Sequence, residues 1–265
     1  MVDKEQATNL FLKLIDIVER LRAPDGCPWD KEQDFRSIAD CTLEEAYEVA
    51  DAIDRENYED LKSELGDLLF QIVFHAGMAE ESGKFNLQDV IEEINSKLTR
   101  RHPHIFGDKV AKTPEESLML WEQVKAEERA EKNMSSLLDD VPRNLPSLAR
   151  AKKLQKRAGT VGFDWKDENK VIAKIDEEIA ELKAELVSKD ENKIQEEIGD
   201  IFFTLVNLCR HLGYEPEDIV KKSNNKFESR FRVMEQIAKE KNDTLNSLNL
   251  EELENLWIRA KNETN

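Results

Sequence analysis

The chain has 265 residues and a formal net charge of −18, because 57 acidic side chains outnumber 39 basic ones. Binding along a nucleic-acid backbone needs a basic face, so this charge argues against a nucleic-acid-binding protein. No apolar stretch reaches the roughly 18 residues of a membrane span, and the first residues lack the layout of a signal peptide. The three cysteines show no metal or redox spacing, which favours a soluble, cytoplasmic protein with reduced thiols and no membrane partner.

Low glycine and proline contents, with abundant Glu, Lys, Leu and Ala, predict an all-α protein. Thr42, with Glu45 three residues later, has the form of a capping box and predicts the start of the second helix. The third helix is apolar almost all round after Asp67, which predicts a central position in the core. Pro103 is expected to end the fourth helix. The helices are expected at about residues 7–22, from 42 onwards, at 58–78, at 87–101 and in a last segment that contains Trp121 and Lys125.

The second half repeats this order, with helices expected at about residues 148–157, 170–187, 193–212, 216–237 and 250–261. A polar segment with two prolines, residues 133–147, is predicted to be a linker. We therefore expect an N-terminal domain at 1–132 and a C-terminal domain at 148–265. Each domain is long enough to bury a core of its own.

One acidic pattern occurs in both halves of the chain. A Glu-x-x-Glu pair is followed, after fifteen residues, by a Glu-x-x-Asp pair, and the two copies are offset by 133 residues at all four positions. The carboxylates are Glu45, Glu48, Glu64 and Asp67 in the first half, and Glu178, Glu181, Glu197 and Asp200 in the second. Two complete sets in register indicate an internal repeat in which the acids share one role.

Helical spacing makes each acidic set a candidate metal site. Residues three apart lie on one face of a helix, so two such pairs on antiparallel helices would face each other across a cleft. Four carboxylates without His or Cys suit Mg²⁺, or Mn²⁺ in its place, better than zinc. The sequence has no glycine-rich phosphate loop, so a phosphorylated substrate would be held by the metal and by basic side chains.

A solvated acidic helix face is the competing interpretation of the same residues. A capping role through Thr42 would explain the first copy, but Ile175 occupies the aligned position in the second copy, where the four acids remain. Asp67 and Asp200 also stand among apolar helix residues, which predicts carboxylates that are costly to desolvate without a partner. Both observations favour a metal site.

Basic and aromatic positions are repeated as well. The repeated pairs are Lys97 with Arg101, Lys226 with Arg230, Trp121 with Lys125 and Trp257 with Lys261. Taken alone, such cations are typical of a helix surface, and such tryptophans are typical of a core. The four histidines show no repeated spacing and are interpreted as structural.

Several segments together carry a specific likeness to a known family. They are residues 26–33 (GCPWDKEQ), 64–67 (ELGD), 101–107 (RHPHIFG), 161–165 (VGFDW) and 197–200 (EIGD). With these segments the chain resembles, over nearly its whole length, the MazG family of two-domain nucleoside triphosphate pyrophosphohydrolases. The resemblance implies two tandem all-α MazG-type helical-bundle domains, paired as a homodimer. It also implies Mg²⁺-dependent hydrolysis of nucleoside triphosphates and deoxynucleoside triphosphates to the monophosphate and pyrophosphate.

The resemblance implies roles for individual residues of the second half. The metal ligands would be Glu178, Glu181, Glu197 and Asp200, and one of these acids would accept a proton from the attacking water. Lys226 would join the acids in catalysis. Nucleotide contacts are implied for Lys174, Lys193, Lys226, Arg230 and Trp257.

The two halves differ in the cations that accompany the acids. At the positions aligned with Lys174 and Lys193, the first half has Cys41 and Asp60. Because such cations stabilise transferring phosphates, hydrolysis is assigned to residues 148–261. The first half would then be structural or regulatory, or would act on a different nucleotide.

Other functions remain compatible with the pattern. A ferritin-like di-iron bundle also gathers carboxylates, but Phe70 and Phe203 stand where that site needs histidine. A helical nucleotide-binding regulatory module without turnover stays open. So does a related pyrophosphohydrolase of another nucleotide, such as phosphoribosyl-ATP.

Apolar helix faces give a separate reason to expect a homodimer. Residues 68–78 and their copy at 201–212 are apolar over a face that is broad for a bundle of this size. Burial of part of these faces between two subunits would explain that breadth.

Overall fold

The computed structural model describes residues 3–131, 135–241 and 243–264 of the chain. Over these ranges the protein consists of α-helices and one short 3-10 helix without any β-strand, which confirms the all-α class. Contacts divide the chain into two compact units, Met1–Lys132 and Asn133–Asn265. None of the helices within the described ranges is long and apolar enough to cross a membrane.

The N-terminal unit is arranged around its fourth helix. Its described helices are α1 (Lys4–Arg22), α2 (Pro28–Glu32), α3 (Ala39–Asp54), α4 (Tyr58–Glu81), α5 (Leu87–Arg101), α6 (Pro103–Phe106) and α7 (Pro114–Glu131). Helix α4 packs against α1, α3 and α5, while α5 also packs against α7. Asn57 and Asn86 cap α4 and α5, because each side chain accepts a backbone N–H of the first turn.

The core of this unit lies on α4, as its apolar sequence predicts. The buried cluster comprises Val18, Ile38, Val73, Phe74 and Met78. Burial does not extend over the whole circumference of α4. Leu69 and Ile72 remain 40% and 44% exposed, so part of the apolar face has no cover within the unit.

The C-terminal unit is built on a helical hairpin. Its described helices are α8 (Ser147–Gly159), α9 (Glu168–Ser188), α10 (Glu191–His211), α11 (Pro216–Glu240) and α12 (Leu250–Glu263), with the 3-10 helix at Leu245–Ser247. Helices α9 and α10 form the hairpin, α8 packs against α10 and α11, and α12 packs against α11. A second buried cluster joins α11 and α12 and comprises Met234, Ile237, Ala238, Leu256 and Ala260.

The hairpins α3–α4 and α9–α10 turn in the same way. Glu56 has a φ of 53° between α3 and α4, and Lys189 has a φ of 60° between α9 and α10. These two residues are 133 positions apart, so the left-handed turn belongs to the repeat. A side chain in this region costs roughly 1–2 kcal/mol, which the packing of each hairpin offsets.

The prediction that Thr42 starts a helix is wrong, whereas the predicted end of α5 before Pro103 is confirmed. Thr42 does not cap a helix, because α3 begins at Ala39 and the Thr42 hydroxyl bonds to a carbonyl of the preceding turn. Pro103 follows the end of α5, as expected, but it also begins α6, since proline suits the first turn of a helix. The segment at Pro28 forms α2 for the same reason.

The segment predicted as a linker, 133–147, is partly structured. Asn133 and Met134 lie outside the described residues. Farther along, Val141 is buried, and the Asp140 carboxylate pairs with Arg157 of α8. The described part of the segment is therefore anchored on the C-terminal unit.

Candidate metal centre

A three-carboxylate cluster lies between α9 and α10. Glu178 of α9 and Glu197 and Asp200 of α10 each place one carboxylate oxygen within 4.8 Å of the others. The hairpin produces this cluster, because α10 runs back along α9 and residues three apart share one face. Glu178 is only 5% exposed, so a buried carboxylate anchors the group.

The burial of the acids differs from the sequence-based expectation. Asp67 and Asp200 were predicted to be desolvated by their apolar neighbours, but both are exposed. Successive residues of a helix point in different directions, so apolar neighbours along the chain do not cover a given side chain. Glu181 is exposed as well, and its carboxylate is not part of the three-carboxylate cluster.

Negative charge accumulates in this cluster. Burial raises the pKa of Glu197, and the charges of Glu181, Glu178 and Asp200 raise it further. A carboxylate among like charges gains from binding a proton or a cation. Because every donor is a carboxylate oxygen, the group fits a hard divalent cation such as Mg²⁺ or Mn²⁺.

Lys174 supplies a positive charge one turn before the buried acid. Its Nζ lies 2.9 Å from Glu178 and 2.7 Å from Glu177. Hydrogen bonds to Glu177 and Glu178 raise the pKa of Lys174 above its ordinary value. The lysine is therefore fully charged at neutral pH.

Lys193 lies in the first turn of α10, next to the turn that joins α9 and α10. Its backbone N–H donates to the capping carboxylate of Asp190 at 3.3 Å, and its Nζ is 3.5 Å from Glu185 Oε1 on α9. Glu185 is four residues after Glu181, so it continues the acidic face of α9 towards the turn. The Lys193–Glu185 pair spans the hairpin.

The other predicted site residues lie on a different pair of helices. Lys226 and Arg230 belong to α11, and Trp257 belongs to α12. The guanidinium of Arg230 is 5.9 Å from the centre of the Trp257 ring, and the Phe227 ring is 5.3 Å from it. One chain thus holds two sets, with the acids and two lysines on α9–α10 and these three residues on α11–α12.

The N-terminal unit has a corresponding cluster. Glu45 and Glu48 of α3 and Glu64 of α4 bring carboxylate oxygens within 4.8 Å of one another. Burial raises the pKa of Glu45, and the charges of Asp67, Glu48 and Glu64 add to this rise. In each unit three of the four predicted acids cluster, but the acid outside the cluster is Asp67 here and Glu181 in the C-terminal unit.

A cation beside the N-terminal acids was missed from the sequence. Arg55 follows α3 and forms ion pairs with Asp51 at 2.7 Å and with Asp60 at 2.8 Å. Burial and the neighbouring acids raise the pKa of Glu64, and the charge of Arg55 opposes that rise. The aligned residue of the second half is Ser188, so comparison of the two halves gives no signal for Arg55.

A polar network was also missed, one turn before the N-terminal acids. The hydroxyl oxygen of Thr42 lies 2.9 Å from His75 Nε2 and 3.4 Å from the side-chain oxygen of Gln71. Burial lowers the pKa of His75, so the ring is neutral at pH 7. Ile175 and Leu208 occupy the positions aligned with Thr42 and His75, so this network has no copy in the second half.

Both acidic sets fall inside segments that match a known domain. Residues 33–106 and 166–234 match the model of the MazG nucleotide pyrophosphohydrolase domain. The chain is 50% identical, over 256 residues, to the nucleoside triphosphate pyrophosphohydrolase of Escherichia coli strain K12, across 96% of this chain and 97% of that protein.

Similarity over the full length extends to Thermotoga maritima. The chain is 43% identical, over 257 residues, to the nucleoside triphosphate pyrophosphohydrolase/pyrophosphatase MazG of that organism, across 97% of this chain and 98% of the relative. The crystal structure of a mazG-related protein from the same species is similar with a TM-score of 0.38 and 25% identity. That similarity covers 43% of this chain and 97% of the other.

Proposed function

The chain belongs to the MazG nucleotide pyrophosphohydrolase family, and we propose that it hydrolyses nucleoside triphosphates, in ribo and deoxy forms, to the nucleoside monophosphate and pyrophosphate. The enzyme is then a hydrolase of acid anhydrides that cleaves between the α- and β-phosphates. By removing triphosphates it would serve as a house-cleaning enzyme of the nucleotide pool.

The arrangement on the α9–α10 hairpin supports this proposal best. Glu178, Glu197 and Asp200 gather three carboxylate oxygens, and the permanent cation of Lys174 lies 2.9 Å from the buried member. Phosphoryl transfer requires carboxylates that bind a hard cation and, beside them, a cation such as lysine that binds the phosphate oxygens. We therefore assign hydrolysis to the C-terminal domain, residues 148–265.

We propose Mg²⁺ as the cofactor, with Mn²⁺ able to replace it. Glu178, Glu197 and Asp200 would hold the ion, and Glu181 would serve as the fourth acid. When bound, the ion would neutralise phosphate charge and lower the pKa of a coordinated water. One of the four acids would accept the proton of the attacking water.

The cations of the domain would hold the triphosphate. Lys174 and Lys193 flank the acids, and Lys226 and Arg230 lie on α11. We propose that Trp257 stacks against the base, which suits broad base tolerance because every base has a π-face. The two sets must then meet one nucleotide, within a single subunit or across a homodimer.

A homodimer is supported by apolar side chains that the C-terminal unit leaves exposed. Ile198, Phe202 and Phe203 of α10 are 41%, 58% and 42% exposed. Exposed aromatic and aliphatic residues on one helix are expected to be covered by a partner. Light scattering at micromolar concentration should give the mass of a dimer, and a monomeric mass would refute this assembly. We also propose a cytoplasmic location, where nucleoside triphosphates are used.

The decisive experiment is a product assay with the eight common ribo- and deoxynucleoside triphosphates. Pyrophosphate is detected as the extra orthophosphate that appears after addition of inorganic pyrophosphatase. We expect metal-dependent release of pyrophosphate from several of these substrates. Orthophosphate as the primary product, or full activity in excess chelator, would contradict the proposal, and binding without turnover would indicate a regulatory module.

A further inference from the structure

A second polar cleft lies in the N-terminal unit, at the far end of α4. It has a volume of about 370 Å³ and is formed by the end of α1, the segment at residues 33–36 and the end of α4. Its lining includes Arg22, Phe35, Arg36, Met78, Glu81 and Lys84. This volume is within the range of small-molecule sites, roughly 300–1,000 Å³.

The acidic side chains of this cleft are already engaged. Both carboxylate oxygens of Glu81 accept hydrogen bonds from the buried guanidinium of Arg22, each at 2.7 Å. The Asp34 carboxylate accepts the backbone N–H groups of Arg36 and Ser37, each at 2.8 Å. These bonds lower the pKa of both acids, which are thus stable anions with their charge committed to protein donors.

Two cations of the cleft are not committed in this way. Neither Arg36 nor Lys84 forms a side-chain ion pair among the residues that the structure describes. Lys84 Nζ lies 5.1 Å from the centre of the Phe35 ring, and that ring is itself stacked on His75 at 5.9 Å. Phe35 therefore holds the ammonium group at the cleft without neutralising it.

The cleft is separate from the N-terminal carboxylates. Met78 lies eleven residues after Asp67 on the continuous helix α4. Eleven residues of α-helix span about 16 Å, so a ligand of ordinary size in the cleft would not reach the acids. The chain has a net charge of −18. Against this background, a cleft in which two cations form no ion pair would be a local positive site that attracts small anions.

We propose that this cleft binds a small phosphate-bearing molecule. Arg36 offers a planar fork of donors that matches two phosphate oxygens, and Lys84 offers a second positive charge. Phosphate could come from a nucleoside monophosphate or from the inorganic ion, and both contain the group that the two cations would recognise. This binding is independent of catalysis at the C-terminal acids.

Methionine methyl groups provide a local probe of binding in the full-length chain. The protein has five methionines, of which Met78 lines the cleft and Met234 is buried in the C-terminal unit. With methyl-labelled methionine, AMP and inorganic phosphate are titrated in the presence of chelator. Chloride and citrate are titrated separately at the same ionic strength, as control anions.

We expect AMP and phosphate to shift the Met78 resonance saturably and to leave Met234 unchanged. The double variant Arg36→Gln/Lys84→Gln should weaken this binding by at least roughly tenfold, because charged hydrogen bonds are lost. The charge-matched control Lys4→Gln/Lys13→Gln, which alters exposed lysines of α1, should bind like the wild type.

Several outcomes would overturn the proposal. They are no saturable Met78 shift, an equal shift with chloride, tighter binding of citrate than of phosphate, or unchanged binding in the double variant. If circular dichroism shows that the double variant is misfolded, Arg36→Gln alone is used, since it leaves the contact between Lys84 and Phe35 in place. A saturable AMP shift at Met78 stands even if no triphosphate is hydrolysed, so the two proposals fail separately.

Discussion

Both hairpins carry the same arrangement of acids. The ion pair that joins the two helices, however, has its cation and anion in opposite order in the two hairpins. In α9–α10 the anion is Glu185 on the first helix and the cation is Lys193 at the start of the second, 3.5 Å apart. In α3–α4 the cation is Arg55 after the first helix and the anion is Asp60 at the start of the second, 2.8 Å apart. The same turn is therefore bridged by opposite arrangements of charge.

We expect this reversal to change which ligands each hairpin binds. In the C-terminal unit the cation of the bridge is a flexible lysine on the acid-bearing face of α10, and Lys174 adds another beside Glu178. In the N-terminal unit Arg55 is held by both Asp51 and Asp60, and Cys41 stands where Lys174 would be. We therefore expect the two similar acidic sets to accompany unequal affinity for polyphosphate, because the cations beside them differ.

The largest expected effect separates the two acidic sets. Glu181→Gln should lower kcat for triphosphate hydrolysis by about 10³-fold, whereas Glu48→Gln should leave it nearly unchanged. Both residues are exposed, so neither change should disturb packing, and circular dichroism should show the same helix content. Asp200→Asn, also at an exposed acid, should match Glu181→Gln. Loss of hydrolysis in the Glu48 variant together with its retention in the Glu181 variant would reverse the assignment of the units.

A second comparison concerns acid stability. Hydrogen bonds from Arg101, and also from Arg100, outweigh burial and lower the pKa of Glu128 from 4.5 to about 2. A depressed carboxyl pKa stabilises the folded state above the unfolded pKa, so this contribution is lost as pH falls from about 4.5 towards 2.

We therefore expect acid to loosen the contact between α5 and α7. The contribution of Glu128 should be about 3 kcal/mol at pH 6. Hydrogen exchange between pH 6 and pH 3 measures the stability of this region in the wild type. In Glu128→Gln the α5–α7 region should be less stable than in the wild type at pH 6, and its stability should change less between pH 6 and pH 3. A pH dependence equal to that of the wild type would show that this ion pair does not cause the loss of stability in acid.

A third test exchanges the cation beside the first acid. Lys174→Gln should lower kcat/KM for triphosphates by roughly tenfold, because a charged hydrogen-bonding group is removed from the cleft. The reciprocal change, Cys41→Lys, places a cation one turn before Glu45 and should bring the raised pKa of Glu45 down towards its ordinary value. Carboxyl NMR titration measures that shift. An unchanged pKa in Cys41→Lys would mean that a lysine at this position does not reach the acids.

Much of this arrangement is predictable because it is local. Helix periodicity and the repeated register place Glu178 opposite Glu197 and Asp200 as soon as α9 and α10 form a hairpin. The order of the helices and the all-α class follow from the same spacing. Both depend on intervals of a few residues, which the sequence states directly.

Burial and capping depend instead on partners that are distant in the chain. Asp200 has apolar neighbours yet is exposed, while Glu178 is buried, because cover comes from other helices. Thr42 has the spacing of a cap but forms its contact with His75, thirty-three residues away. Arg55 has no counterpart in the second half, so only the folded hairpin reveals it beside Asp60.

The smallest expected effect concerns the Lys193–Glu185 ion pair of the α9–α10 hairpin, and it rests on the proposed function. Glu185 lies 3.5 Å from the Nζ of Lys193, so an incoming triphosphate would have to compete with Glu185 for that ammonium group. Glu185→Ala introduces the alanine that stands at the aligned position, Ala52, and should lower KM about threefold with kcat unchanged, as expected for a partly exposed ion pair.

Removal of any nearby negative charge could favour a polyanion, so Glu196→Gln is the matched control, because its charge also acts on Glu197. An equal fall in KM for both variants would assign the effect to the general field. A rise in KM for Glu185→Ala would show that Glu185 orients Lys193 for the substrate and does not compete with it.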